Sequence, residues 1–204
     1  KNLAEFHNNL ISFIMELIPT KTDVAVRQYL VDTLCERIKN TLIKYPLKSI
    51  ILPSGSCMNG TFLPCADIDF AIFFFPSSCN PKMVMEDLIY DLSDLALDGF
   101  NPIPQARVPV LKFTIPPGIS IDISFDELQG PLNVLALREI FETMPYLLPA
   151  QIFLKTILHR SFLDQPYKGG INSYTLMLLL VAYVQHTGEP RNLTELIAGF
   201  CNFY

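Results

Sequence analysis

The sequence predicts an α+β protein in which a mixed α/β unit is followed by an all-helical unit. Segments 49–52 and 67–75 are rich in β-branched and aromatic residues, and segments 107–115 and 119–125 are predicted to pair as a hairpin around a Pro-Pro-Gly turn. After Gly130 the apolar residues follow helical spacing. With 204 residues, of which 50% are hydrophobic, the chain is long enough for one large or two modest domains.

The helices are predicted from apolar residues at helical spacing and from the residues that begin and end them. The first covers 3–18 and ends at Pro19, and the second covers 24–44 with Thr22 or Asp23 as its cap. Further helices are predicted at 84–97, 132–143, 147–163 and 173–187, and a loop is predicted at 101–105.

Two aspartates stand at the start of the second predicted strand. Successive side chains in a strand point to opposite faces, so Asp67 and Asp69 share one face, about 7 Å apart along the chain. Their repulsion has to be relieved by a cation or by water. A pair of this kind alone is typical of a solvated strand end, whereas a divalent metal ion is the functional interpretation.

Two further features favour the metal. Strict alternation in 119–125 places Asp122 on a polar sheet face, and if this strand lies beside 67–75, three carboxylates converge. Such a set fits two Mg²⁺ ions about 4 Å apart. Upstream, Gly55 would let the backbone approach a phosphate that the Ser56 hydroxyl could bind. These residues predict phosphoryl or nucleotidyl transfer.

The helical half supplies a second group of candidates. Lys155 lies among apolar residues, where it either extends to solvent or reaches a triphosphate. Ser173 follows two glycines at the start of a helix and is either its cap or a phosphate contact. Tyr174 either stacks on a nucleobase or packs against Phe153.

Several cations carry less specific information. Arg27, Arg37, Lys39 and Lys44 are predicted to form a solvated helix face, with RNA contact as the alternative. Lys112 is predicted to be a solvated cation or a contact to the primer or a phosphate.

The charge balance restricts how the chain could hold nucleic acid. The net charge is −5 and the pI about 5.1, so the chain lacks an overall basic field. Any RNA affinity is expected to be local or to come from an RNA-binding protein partner.

Cysteine usage and hydropathy bear on the compartment. The five cysteines form no CxxC pair, which favours reduced thiols and a cytoplasmic or nuclear protein, with the cytoplasm preferred. The longest apolar run, Leu176 to Tyr183, is far shorter than the roughly 20 residues of a membrane span, so no membrane association is expected. The chain begins with Lys, and we expect missing flanks.

Five segments together resemble a known family. PSGSCMNGTFLPCADID, ARVPVLKFT, ISIDISFD, FLKTILH and YKGGINSYTLMLLLVAYVQ are similar to successive motifs of the noncanonical poly(A) polymerases and terminal uridylyltransferases, within the DNA polymerase β nucleotidyltransferase superfamily. The resemblance runs from about 24 to 204. It implies a nucleotidyltransferase catalytic domain with a mixed sheet at 19–130. It also implies a helical central domain, poly(A) polymerase-associated and incomplete at its C-terminal end, from 1–18 and 131–204.

The resemblance assigns roles to the residues of the sheet. It implies that Asp67, Asp69 and Asp122 bind two Mg²⁺ (or Mn²⁺) ions, with Asp122 as the general base. Gly55 and Ser56 would hold the nucleotide phosphates.

It assigns further roles in the helices. Lys155 and Ser173 would contact the triphosphate, Tyr174 would stack on the incoming base, and Asn133 would reach the ribose or base edge. One departure is His159, which stands where some members carry a second cation. The nucleotide cleft is expected between the two domains.

The implied activity is template-independent addition of AMP from ATP to an RNA 3′ end by two-metal-ion catalysis. Two alternatives stay open: terminal uridylyl transfer from UTP, and a catalytically silent homologue that serves as a scaffold in an RNA-processing complex. The family's base-selecting segment, often a single His, is expected after Tyr204.

Overall fold

The structure is a computed structural model that describes residues 2–76 and 79–204. It forms two compact units, one made of residues 20–135 and the other of the segment up to Pro19 with 136–204. The helices are α1 (Asn2–Leu17), α2 (Lys21–Leu42), α3 (Ser56–Asn59), α4 (Pro81–Asp91), α5 (Gln129–Thr143), α6 (Leu147–Arg160), α7 (Ser173–Thr187) and α8 (Leu193–Phe203). The strands are β1 (Lys48–Ser54), β2 (Ile68–Phe75), β3 (Phe100–Ile103), β4 (Val110–Ile115) and β5 (Ile119–Phe125).

The first unit is built on a five-stranded mixed sheet. The strand order is β1-β2-β5-β4-β3, and β2 pairs with β5 in parallel while the other neighbours are antiparallel. The hairpin of β4 and β5 is therefore confirmed, as is the expectation that β5 lies beside β2. Because one face of this sheet packs in the core, each strand divides its side chains strictly between that face and the other.

The core of this unit lies between the sheet and the helices α2 and α4. On β2 the side chains of Ile68, Phe70 and Ile72 are fully buried there, as are Ile121 and Ile123 on β5. The alternating positions of the two strands, which include the aspartates, therefore occupy the opposite face of the sheet. The core further contains Val31, Leu34, Ile38, Val84, Met85 and Leu88 from the helices.

Helix α2 begins earlier than predicted. Its cap is Thr20, whose hydroxyl accepts a hydrogen bond from the Asp23 amide at 3.2 Å, while the Asp23 carboxylate accepts one from the Thr20 amide at 2.8 Å. The prediction of Thr22 or Asp23 as the cap was wrong, because this reciprocal pair satisfies two helix-terminal groups at once.

Two irregular segments contain more structure than the sequence indicated. The loop predicted at 101–105 was wrong in part, because Phe100–Ile103 forms β3. Pro102 is tolerated since β3 is an edge strand. The turn after β1 holds the short helix α3, and α8 follows the last predicted helix.

The helical unit has its own core. It contains side chains from α1, α6, α7 and α8, among them Ile14, Leu147, Ala150, Met177, Leu180 and Leu196. Helix α7 has the bounds predicted for it, 173–187. Within residues 2–76 and 79–204, each helix is too short or too polar to cross a membrane.

Candidate active site

A row of three charged residues crosses the polar face of the sheet. In the parallel pair of β2 and β5, Asp69 lies opposite Asp122, and in the antiparallel pair of β5 and β4, Asp122 lies opposite Lys112. Neighbouring strands are about 4.8 Å apart, so residues in such a row can interact through their side chains. Strand pairing thus brings together two of the three predicted metal-binding aspartates.

Lys112 neutralises Asp122. Its ammonium group forms an ion pair with the Asp122 carboxylate, and the two side chains are 43% and 19% exposed. The prediction of a solvated cation was incomplete, since this lysine pairs with a predicted catalytic residue across the hairpin. The Pro-Pro-Gly turn was the signal for this contact, because a hairpin closed by 116–118 places Lys112 opposite Asp122.

The backbone of Gly55 lies directly against the Asp69 carboxylate. Its backbone has φ +73° and ψ −165°, a conformation that L side chains rarely adopt. A Cβ atom at this position would lie 1.9 Å from Oδ2 of Asp69. Glycine is therefore required for two reasons: the backbone conformation of the turn excludes other residues, and the Asp69 carboxylate leaves no space for a Cβ atom.

Ser56 directly follows the glycine that lies against this carboxylate. Ser54, the last residue of β1, is paired with Asp69 in the sheet, and Ser56 begins α3 directly after Gly55. The Gly-Ser turn and the Asp-x-Asp segment, which are ten residues apart in sequence, are thus neighbours. Backbone amides in turns can bind anions, so a phosphate held by this turn would lie beside the Asp69 carboxylate.

Asp67 lies just before β2 and is exposed. Its backbone carbonyl accepts a hydrogen bond from the Cys57 thiol at 3.3 Å. Asp67 also lines a cavity of about 320 Å³ on the polar face, together with Lys112 and Asp122. Asp67, the third predicted carboxylate, thus shares a cavity with Lys112 and Asp122, two of the three charged residues in the row.

The donor set fits a hard divalent cation. All the candidate ligands are carboxylate oxygens, and Mg²⁺ is commonly held by one or two carboxylates that are completed by substrate phosphates and water. Within the described residues, no three His, Cys, Asp or Glu side chains form a group that could hold a metal ion. Strand pairing brings two of the candidate ligands, Asp69 and Asp122, side by side. The binding of an ion by all three aspartates stays a prediction.

Asn133 belongs to the same unit. It lies on α5 and is half-buried, and its side-chain oxygen accepts a hydrogen bond from the Gln129 side chain at 2.6 Å. Its predicted contact to the ribose or base edge stays a prediction.

The remaining candidates belong to the helical unit. Lys155 is half-buried on α6, between the buried Leu154 and Thr156. Tyr174 and Phe153 are both half-buried and pack against the helical core. Whether Tyr174 stacks on a base or packs against Phe153 stays a prediction. Lys155 and Tyr174 belong to a different unit from the aspartates. A single site formed by both groups of residues stays a prediction.

Ser173 does not cap α7. Asn172 is the cap, since its side chain accepts a hydrogen bond from the Thr175 amide at 2.8 Å, and Ser173 is the first helical residue. The Ser173 carbonyl accepts a hydrogen bond from the fully buried Gln151 side chain at 2.8 Å. The interpretation of Ser173 as a cap was wrong, and its predicted phosphate contact stays a prediction.

His159 has a protein partner at the position where a second cation was considered. Its Nδ1 atom lies 2.6 Å from Oδ2 of Asp164. The interaction connects the end of α6 with the segment that follows it.

Arg27 was assigned incorrectly to a solvated helix face. It is 6% exposed and donates hydrogen bonds to the carbonyls of Pro64 and Ala66. Helical spacing offered no signal for this contact, because its partners lie in the connection between α3 and β2. Arg37 and Lys44 also have acidic partners, Asp94 and Asp91 respectively.

A family model agrees with the motifs of the first unit. The model described as "Poly(A) RNA polymerase, mitochondrial-like, central palm domain" matches residues 6–138. The match includes all the candidate residues from the Gly-Ser turn to Asn133.

Curated relatives carry related names. The chain is 30% identical over 211 residues to poly(A) RNA polymerase cid14 of Schizosaccharomyces pombe, which covers 98% of this chain and 30% of that protein. It is 25% identical over 188 residues to poly(A) RNA polymerase protein 2 of Saccharomyces cerevisiae, covering 90% of this chain and 31% of that protein. The chain thus spans about a third of the length of these relatives.

Solved structures share the fold. The Cid1 poly(U) polymerase with magnesium and 3′-dATP matches at a TM-score of 0.82 and 18% identity, over 98% of this chain and 73% of that one. The same polymerase with its short product ApU matches at 0.79 and 17% identity, over 98% and 72%. The solved structures thus share the fold, and the family model shows that the chain belongs to the poly(A) RNA polymerase family whose central palm domain it describes.

Proposed function

We propose that the chain is the nucleotidyl-transferring part of an enzyme that extends RNA 3′ ends without a template, adding AMP from ATP. The observation that supports this most directly is the pairing of Asp69 with Asp122 on adjacent strands, with Asp69 resting against Gly55. Two carboxylates beside a glycine-serine turn are suited to hold a metal-bound triphosphate.

The proposed reaction is an in-line displacement. The RNA 3′ oxygen bonds to the α-phosphorus of the nucleotide, the bond from that phosphorus to the bridging oxygen breaks, and pyrophosphate leaves. Asp122 accepts the proton of the 3′ hydroxyl, and the Gly55-Ser56 turn positions the phosphates. Bound to Asp67, Asp69 and Asp122, two Mg²⁺ or Mn²⁺ ions would supply electrostatic stabilisation of the phosphate charge.

Lys112 has a defined part in this proposal. Its ammonium group neutralises Asp122 in the absence of substrate, which limits repulsion between Asp122 and Asp69. A metal ion bound to the Asp122 carboxylate would compete with this ion pair, which would then open or lengthen.

The helical unit supplies the other nucleotide contacts in this proposal. Lys155 and Ser173 would bind the triphosphate, Tyr174 would stack on the base, and Asn133 from α5 would reach the ribose or base edge. These assignments derive from the family motifs.

ATP is the proposed substrate because the curated relatives are named poly(A) RNA polymerases. UTP is the second candidate, since the solved structures of the same fold are named poly(U) polymerase. A silent scaffold is disfavoured because it has no physical need for paired carboxylates beside a positive-φ glycine.

We further propose that an RNA-binding protein partner provides most of the RNA affinity. The net charge of −5 opposes binding to a polyanion at physiological salt. We also assign the protein to the cytoplasm or the nucleus, with the cytoplasm preferred, because its five cysteines form no CxxC pair.

Extension of a labelled RNA 3′ end tests the proposal. The chain, with and without candidate partners, is incubated with each nucleoside triphosphate and Mg²⁺ or Mn²⁺. We expect extension with ATP, and its loss in an Asp67→Ala, Asp69→Ala double variant and in Asp122→Asn. Glu86→Gln is the matched control, because Glu86 is an exposed carboxylate on α4.

Each outcome discriminates between the candidates. Extension by UTP in place of ATP selects uridylyl transfer. Equal tailing by the double variant refutes the metal assignment, and absence of extension with every nucleotide and partner supports the scaffold.

A further inference from the structure

Arg27 is a buried cation in the unit formed by residues 20–135. Its side chain extends from the first turns of α2 and is 6% exposed. Nη1 donates to the carbonyl of Ala66 and Nη2 to that of Pro64, both at 2.7 Å. The guanidinium carbon lies 5.5 Å from the centre of the Phe62 ring.

These three contacts all fall on one short connection. Residues 61–67 join α3, which follows the Gly-Ser turn, to β2, which carries Asp69. The connection forms its own tight turn, in which the Ala66 amide donates to the Leu63 carbonyl at 2.8 Å. Arg27 therefore fixes, from its buried position, the segment that connects the proposed phosphate-binding turn to the strand that carries Asp69.

The bond to Ala66 acts directly on Asp67. A peptide unit is planar, so the carbonyl of Ala66 and the amide of Asp67 rotate together. A hydrogen bond that fixes this carbonyl therefore fixes the plane from which the Asp67 side chain extends. On the other side of Asp67, its own carbonyl accepts the Cys57 thiol.

The chemistry of the guanidinium suits this geometry. Its planar group presents several donors in fixed directions and stays charged in proteins, so it can bind two carbonyls at once. The compact ammonium of lysine lacks that fixed fork. Arg37, on the same helix, is a useful comparison, because it donates to the Asp91 carbonyl at 2.6 Å and to the Asp94 carboxylate.

We propose that Arg27 is a positioning residue that orients Asp67 toward a divalent metal ion by fixing the carbonyls of Pro64 and Ala66. This inference rests on the proposed nucleotidyl transfer. It differs from a packing role, in which the Phe62 contact and burial alone would matter.

The test measures metal binding apart from catalysis. Mn²⁺ affinity is measured by electron paramagnetic resonance with a non-hydrolysable ATP analogue present, alongside the unfolding midpoint and kcat. The variants are Arg27→Lys, Phe62→Leu and the control Arg37→Lys. Phe62→Leu removes the ring contact but leaves both carbonyl bonds of Arg27 in place.

We expect Arg27→Lys to lower Mn²⁺ affinity and kcat by roughly 10- to 100-fold, the range for residues that orient metal ligands. Arg37→Lys and Phe62→Leu should retain Mn²⁺ affinity close to that of the unaltered chain. Wild-type Mn²⁺ affinity with a lowered unfolding midpoint in Arg27→Lys would overturn the proposal.

If Arg27→Lys does not fold, Phe62→Leu distinguishes orientation of Asp67 from a packing role of Arg27. Retained Mn²⁺ affinity in folded Phe62→Leu supports orientation through the carbonyls, whereas a loss of roughly tenfold or more assigns Arg27 to packing. Failure of the transfer proposal has a different signature: Arg27-dependent Mn²⁺ binding by a chain that extends no RNA with any nucleotide.

Discussion

The carboxylate of Asp69 rests against the α-carbon of Gly55, so that a Cβ atom at position 55 would lie 1.9 Å from Oδ2. The contact joins the two sequence features from which the function was predicted, the small-residue turn and the paired aspartates. A substitution at Gly55 is therefore expected to displace Asp69 as well as to strain the backbone of the turn.

Gly55→Ala should reduce nucleotide transfer by about 100-fold or more, because displacement of a catalytic group by about 1 Å can cost that much. Gly188→Ala is the matched control. Gly188 has φ +87° and ψ 175°, close to the backbone conformation of Gly55, so alanine meets similar strain there, but nothing lies within 4 Å of its added Cβ. Steady-state kinetics and unfolding midpoints of both variants provide the measurement. Equal losses of activity would show that strain, and not displacement of Asp69, is responsible.

Removal of the Lys112 ammonium should make the catalytic unit more responsive to metal. In Lys112→Met the Asp122 carboxylate loses its partner, so Mg²⁺ with a nucleotide should raise the unfolding midpoint more than it does in the unaltered chain. Without Mg²⁺ the loss of stability should be at most about 1 kcal/mol, since the pair is partly exposed.

Lys44→Met is the control for that experiment. Lys44 pairs with Asp91 at 2.5 Å, and their side chains are 52% and 24% exposed, similar to Lys112 and Asp122. Its response to Mg²⁺ should equal that of the unaltered chain. An identical Mg²⁺ response in Lys112→Met would argue against Asp122 as a metal ligand.

The capping pair of α2 predicts a local effect on stability. Thr20→Ala should lower the free energy of unfolding by about 1 kcal/mol, the usual cost of losing a threonine N-cap. Thr22→Ala removes the same atoms two residues later, inside the helix, and should cost less. Denaturant titration of the two variants measures the difference, and a larger loss in Thr22→Ala would contradict the assignment of the cap.

Tyr45 predicts a stability loss at alkaline pH. Its burial, followed by the hydrogen bond that it donates to Asp87 at 2.5 Å, raises the pKa of the phenol well above its ordinary value. The unfolded chain ionises this group near pH 10 while the folded chain keeps it protonated. Its contribution is therefore fully present below pH 10 and is lost as the pH rises toward the folded-state pKa.

The comparison of the unaltered chain with Tyr45→Phe isolates this effect. The difference in free energy of unfolding should be constant up to about pH 10 and shift against the unaltered chain above it. Tyr90→Phe, at a tyrosine that is 81% exposed, is the control. A pH-independent difference for Tyr45→Phe would contradict the prediction.

Local patterns were sufficient for much of the fold. Alternation in 119–125 identified β5 and the face that carries Asp122, because apolar and polar residues alternate along a strand that is buried on one face only. The extent of helix α7 was equally accessible from its apolar run, although the sequence assigned the cap to Ser173 and the structure assigns it to Asn172. Edge strand β3 was missed because its proline matches the composition of a loop.

Residue order by itself therefore established the α+β class, the polar sheet face and the aspartates that lie on it. Tertiary structure alone decided that β5 lies parallel to β2, that Asp69 contacts Gly55, and that Arg27 points inward. The physical reason is the range of the interactions. A side chain's alternation is a local property, whereas Arg27 bonds carbonyls 37 and 39 residues away, and no local pattern records such a partner.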